Sequence, residues 1–171
     1  GLSYERYSRD RRQKFSAYVS LQLTGRDSYY GGGGRVLQPG DQLTEDDLLA
    51  LNAYGESTDL ALVGGLQYAH EISEEWSLTL GSEYTYNDVL DEMPGYGRAI
   101  DQQVGVLGAY GQLQWAPTGK WSFLLGGRFD HIRANGRYAL QAEDFLQNNT
   151  FNIFVPRLTA MHRLTDNFKL R

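Results

Sequence analysis

The side chains able to do chemistry in this chain are few and scattered. Its three histidines, His70, His131 and His162, are too far apart in sequence for a metal-binding motif, and there is no cysteine to supply a thiolate. Asp130 adjoins His131, but neighbours in a strand point to opposite faces, which spoils them as two members of a catalytic triad. No Gly-x-Ser-x-Gly elbow is present. The glycine run at 31–34 lacks the Gly-Lys-Ser/Thr and the strand-to-helix setting of a phosphate loop, so it reads as a flexible loop. Glu45, Asp46 and Asp47 do not have the spacing of a calcium loop, and they fit the first turn of a short helix capped by Thr44. The sequon at Asn148 carries little weight. No enzyme, cofactor or metal is implied.

Recognition remains. Tyr29, Tyr30, Tyr54, Met93, Tyr96 and Arg98 fall in or beside the longer connections, where aromatic faces and a thioether suit a planar or apolar ligand and a guanidinium suits an anionic group. The alternative for each is an aromatic girdle or loop-on-loop packing. The net charge of -5 argues against a nucleic-acid partner. The one basic cluster, Arg9 to Lys14, suits a solvated turn or contact with lipid head groups.

The elements that carry these residues alternate with period two. Phe15, Ala17, Val19, Leu21 and Leu23 oppose Ser16, Ser20, Gln22 and Thr24. The pattern recurs through Leu60–Tyr68, through Trp76–Tyr86 against Glu83, and through Leu107–Trp115 against Gln112 and Gln114. It continues in Trp121–Phe129 against Arg128 and Asp130, and in Phe154–Ala160 against Arg157. Residues 1–8 read as the end of a strand, and Phe168 with Leu170 opens the last one. Tight turns at 71–75, 116–120 and 164–167 alternate with long connections at 28–56, 89–100 and 133–149. The fold expected is all-β, an antiparallel up-and-down meander of about seven or eight long strands with a short helix in one long loop.

Alternation alone fits a soluble sandwich or barrel equally well, for example a carbohydrate-binding module. Three features favour a transmembrane β-barrel. The strand patterns exceed the usual five or six residues. The short turns gather at one end and the long loops at the other. Trp76, Trp115 and Trp121 all sit on the apolar face beside the tight turns, as in an interfacial girdle. Glu83, Gln112, Gln114, Arg128, Asp130 and Arg157 would then face a water-filled lumen, as an ion-pair network or as contacts for a plug.

Several segments carry a family likeness. Arg26-Asp27-Ser28-Tyr29-Tyr30-Gly31, Asp91-Glu92-Met93-Pro94-Gly95-Tyr96-Gly97-Arg98, Gly126-Gly127-Arg128-Phe129-Asp130-His131, and Pro156-Arg157-Leu158 with Asn167-Phe168-Lys169-Leu170-Arg171 resemble the barrel of TonB-dependent outer-membrane receptors. The resemblance is to the Bacteroidetes type associated with cobalamin or ferric siderophores. It implies a bacterial outer-membrane location, a 22-stranded barrel, an N-terminal plug, coupling to the TonB complex, and import of a scarce nutrient. Residues 1–171 would be a single internal barrel segment without plug or TonB box, with outer-membrane lipid as a partner and sheet edges prone to self-association.

Overall fold

The computed structural model describes residues 1–30, 35–140, 143–165 and 168–170. They form one antiparallel sheet in strict sequence order: β1 (Leu2–Tyr7), β2 (Gln13–Tyr29), β3 (Tyr54–Glu71), β4 (Trp76–Met93), β5 (Arg98–Thr118), β6 (Trp121–Leu140), β7 (Glu143–Thr165) and β8 (Phe168–Leu170). Helix α1 (Glu45–Leu51) lies between β2 and β3, and a single 3-10 turn (Pro94–Tyr96) joins β4 to β5. β1 and β8 stand at opposite ends of the order, and β8 pairs with β7 only from His162 onward.

The strands outrun the expected ones at the long-connection end. β6 continues to Leu140 and β7 resumes at Glu143, so the loop expected at 133–149 is mostly a paired hairpin, with Asn135 opposite Asn148 and Arg137 bonded to Asp144 at 2.6 Å. The connection expected at 89–100 shrinks likewise to the 3-10 turn and its flanks. Polar, turn-forming residue types extend these strands because neighbouring strands pair their backbones, which local propensity does not register. The glycine run at 31–34 and part of the tight turn at 164–167 lie outside the described residues.

Register fixes the faces. One rung joins Ala17, Leu66, Ser82, Ala109, Phe129 and Phe154, and it belongs to the same face as the three tryptophans. On this apolar face the hydrophobic window occupies nine residues in each of four strands: 15–23 in β2, 60–68 in β3, 107–115 in β5 and 121–129 in β6. Nine is the length a tilted spanning strand needs. The window also slides. Phe129, its upper limit in β6, shares the rung of Ala17 in β2, whereas the upper limit in β2 is Leu23, six residues further along. Six residues at about 3.3 Å each, over four inter-strand steps of about 4.8 Å, slant the window by about 45° to the rungs. Strands of a membrane barrel tilt by about that angle, so the apolar residues form a level belt only when the strands are inclined as in a barrel.

A soluble reading would put this belt into a core, but among the described residues only Ala53 is a buried apolar side chain. Leu107 is 53% exposed, Leu125 62% and Leu158 79%. Side chains of the opposite, polar face cross-link the strands instead.

The short-turn end is built the same way three times. The Ser8 hydroxyl accepts from the Gln13 N–H (3.0 Å), Ser73 from Trp76 (3.2 Å) and Thr118 from Trp121 (3.2 Å), each closing the turn onto the first residue of the next strand. The aromatic girdle follows directly. Trp76 stacks on Trp115 at 5.5 Å, Trp115 on Phe123 at 5.6 Å and Trp121 on Phe123 at 5.7 Å, with His162 against Trp121 at 4.2 Å.

Glycines in the sheet are not equivalent. A Cβ on Gly126 would lie 2.9 Å from the Gly111 carbonyl oxygen, which the ladder holds in place, whereas one on Gly25 would meet nothing within 4 Å. Gly126→Ala is therefore expected to destabilise the full-length protein by about 1–3 kcal/mol and Gly25→Ala to be neutral, as measured by denaturant unfolding.

Candidate ligand-facing wall and loop rim

The polar face carries a network at mid-height. Tyr18, Gly65, Glu83, Gly108 and Asp130 share one rung. The Tyr18 hydroxyl donates to Glu83. Arg128 reaches Glu83 at 3.6 Å and donates through Nε to both carboxylate oxygens of Asp130, at 2.8 and 3.0 Å. One rung away, Tyr110 Oη donates to Gln67 Oε1 at 2.9 Å. Glycine makes this possible. The Tyr18 ring lies where a side chain on Gly65 would stand, Tyr110 covers Gly81, and the Arg128–Asp130 pair covers Gly108. The network joins β2 through β6 and carries one more acid than base.

Expected lumen residues share this face without all joining the network. Gln112 and Gln114 alternate with the apolar window of β5, and Gln114 donates to Ser122 Oγ at 3.3 Å. Arg157, opposite Gly126, stands apart from the ion pairs. Asp130 and His131 do diverge, with Asp130 on the polar face and His131 on the apolar one beside Asn152.

The six candidate ligand contacts separate at the upper rim. Tyr29 and Tyr54 were expected in loops; they instead end β2 and begin β3, pair on one rung, and pack ring to ring at 4.9 Å on the apolar-face side. Strand parity, not loop geometry, aims them. Met93 and Arg98 are also strand residues, but of polar-face parity, opposite each other. Tyr30 joins them, since a Cβ on Gly55 would meet the Tyr30 ring at 3.0 Å and Met93 at 3.2 Å. Arg98 bonds Asp91 at 3.4 Å through Nη2, while its Nε is buried without a partner. Tyr96 sits in the 3-10 turn, where Gly95 packs directly on the backbone of Asn52 at the end of α1.

The long loop is tied by a charge knot that the sequence suggested only in part, through the Thr44 cap. Arg35 bonds Asp41 (3.2 Å), Asp47 (3.1 Å) and the Gln42 carbonyl (2.7 Å). Asp47 closes a capping box with Thr44. The Arg35 guanidinium, then the Thr44 N–H and hydroxyl, lower the Asp47 carboxyl to about 2. Asp47 is thus committed to the loop's own structure, and no metal-holding cluster of acids or histidines occurs among the described residues.

A sheet with an exposed apolar belt, an aromatic girdle at its short-turn end and a cross-linked polar face is the wall of a membrane β-barrel. The family described as TonB dependent receptor-like, beta-barrel matches residues 1–171, and the chain belongs to it. Among solved structures, the chain resembles the ferric yersiniabactin uptake receptor FyuA from Yersinia pestis, with a TM-score of 0.57 and 15% identity over 98% of this chain and 26% of that one. It also resembles the TodX deltaS2S3 mutant, a monoaromatic hydrocarbon channel, with a TM-score of 0.49 and 10% identity over 98% of this chain and 50% of that one. The chain thus spans about a quarter of FyuA. No curated protein sequence matches it.

The lowered pKa of Asp47 sets a pH window. Its folded value lies below the ordinary 3.8, so its contribution to loop order is complete above about pH 4 and is lost as pH falls through about 2. Amide exchange across α1, corrected for intrinsic rate, is expected to show constant protection from pH 7 to pH 4 and loss toward pH 2. Asp47→Asn should loosen the loop at neutral pH, with roughly fivefold faster exchange.

Proposed function

We propose that this chain is an internal segment of the barrel of a bacterial outer-membrane receptor that binds and imports a large, scarce nutrient of the ferric siderophore or cobalamin class. Residues 1–171 form barrel wall only, and the plug and the TonB contact belong to other parts of the full-length protein. The observation that carries this reading is the slanted nine-residue belt on the apolar face, which matches the length and tilt of a lipid-spanning barrel strand. Family membership supplies the coupling to TonB. The likeness to FyuA, a ferric yersiniabactin uptake receptor, supports an iron chelate over cobalamin. A soluble carbohydrate module would need its apolar face covered, and the sheet leaves it bare. The sheet edges are closed in the receptor by neighbouring barrel strands, and a segment made alone pairs them with its own ends or with a second copy.

Within the segment, Tyr30, Met93, Tyr96 and Arg98 make the ligand rim, with the exposed part of the Arg98 guanidinium meeting an anionic group of the nutrient beside Asp91. Glu83, Arg128 and Asp130 hold the wall rigid below it. No catalysis is assigned to these residues.

Competition binding of ferric siderophores and cobalamin to the full-length receptor tests the reading. One class should bind tightly, and Arg98→Gln should weaken it about tenfold. Binding of neither class, or recovery of the full-length protein in the soluble periplasm without detergent, would overturn it.

A further inference from the structure

A cleft of about 360 Å³ opens on the apolar face of β4, β5 and β6, where the hydrophobic window gives way to polar residues. Its floor is Gly105. A Cβ there would stand 3.4 Å from Tyr84 Oη and 3.8 Å from the Tyr86 ring, so the gap exists because this position carries no side chain. Tyr84 and Tyr86 form one wall; His131 and Arg133 form the other. Leu107 lines the lower end, and below it on the same face lie Ala109 and Phe129 of the belt.

Arg133 is held by a relay. Its Nε donates to His131 Nε2 at 3.1 Å, and His131 Nδ1 contacts Asn152 Oδ1 at 2.8 Å. With Nε2 accepting from Arg133, Nδ1 is the ring nitrogen left to donate to the Asn152 amide oxygen. Arg128, Arg98 and Arg137 each have a carboxylate partner, whereas no ion pair among the described residues includes Arg133. The acid on the next rung up, Asp88, is engaged by Tyr86 Oη (3.2 Å) and Gln103 Nε2 (3.5 Å). An oriented guanidinium with unused donors, flanked by tyrosines at the margin of a lipid-facing belt, suits an anion whose own tail is apolar.

On the membrane-barrel reading above, we propose that this cleft binds the phosphate-bearing headgroup of a lipid in the leaflet at the long-loop end, whose acyl chains descend over Leu107 and Phe129. Arg133 and Tyr84 donate to the phosphate oxygens, and the absent side chain at Gly105 admits it.

The test uses the full-length receptor extracted from outer membranes, delipidated in detergent, and examined by native mass spectrometry after addition of diphosphorylated lipid A, the same lipid dephosphorylated, or inorganic phosphate. The wild type should retain the phosphorylated lipid. Arg133→Gln and the cleft-filling Gly105→Val should each lower retention about tenfold, and Arg26→Gln on the opposite face should not. Equal retention by Arg133→Gln, equal retention of the dephosphorylated lipid, or displacement by inorganic phosphate at equal concentration would overturn the proposal. Failure of the membrane reading shows separately, as a receptor that stays soluble without detergent before any lipid is added. Unchanged unfolding of both cleft variants in denaturant confirms that lost retention is loss of the site.

Discussion

The rest of the structure depends on the lateral pairing of backbone N–H and C=O groups through the nine-residue windows. In lipid no water satisfies these groups, so each must find a partner in the next strand, and the pairing runs through those windows from β2 to β6 with one irregularity, between Trp115 and Thr118 at the short-turn end of β5 and β6. Register then becomes unforgiving. A slip of one residue would carry Arg128, Asp130 and Glu83 to the lipid face and Leu107 or Phe129 to the polar one. The six-residue slide of the belt between β6 and β2 shows that register and strand tilt are set together.

The polar face answers a different problem. An ordinary domain is held by a core, and this sheet has almost none. Cross-strand contacts replace it: rings laid over Gly65 and Gly81, and the Glu83–Arg128–Asp130 chain over Gly108. Each is modest alone, but together they tie five consecutive strands. The loop side follows the same economy, with Arg35 and Asp47 ordering α1 through charge and capping where apolar burial is scarce.

The sequence displays the strands wherever one face meets lipid, because only there do side-chain type and period agree; Phe15 to Leu23 and Trp121 to Phe129 are plain examples. Above the belt the clean alternation is lost, and Asn135, Gly136, Asn148 and Asn149 look like loop residues although the structure pairs them in a hairpin. At the 28–56 connection Tyr29 and Tyr54 likewise look like loop residues, and their orientation comes from parity because β2 and β3 reach them. The place of the three tryptophans beside the tight turns on one face was legible because turn signals and aromatic positions coincide. The rings over glycine were not, since they depend on which residue stands opposite, and no local pattern states the register.

Oxygen and nickel accessibility of spin labels placed singly along β5, from residue 106 to 113 of the full-length receptor in bilayers, reports most directly on which face meets lipid. Odd positions are expected to be oxygen-accessible and even ones to favour the aqueous nickel reagent, alternating without a break. The opposite phase, or an alternation that vanishes, would contradict this assignment of faces.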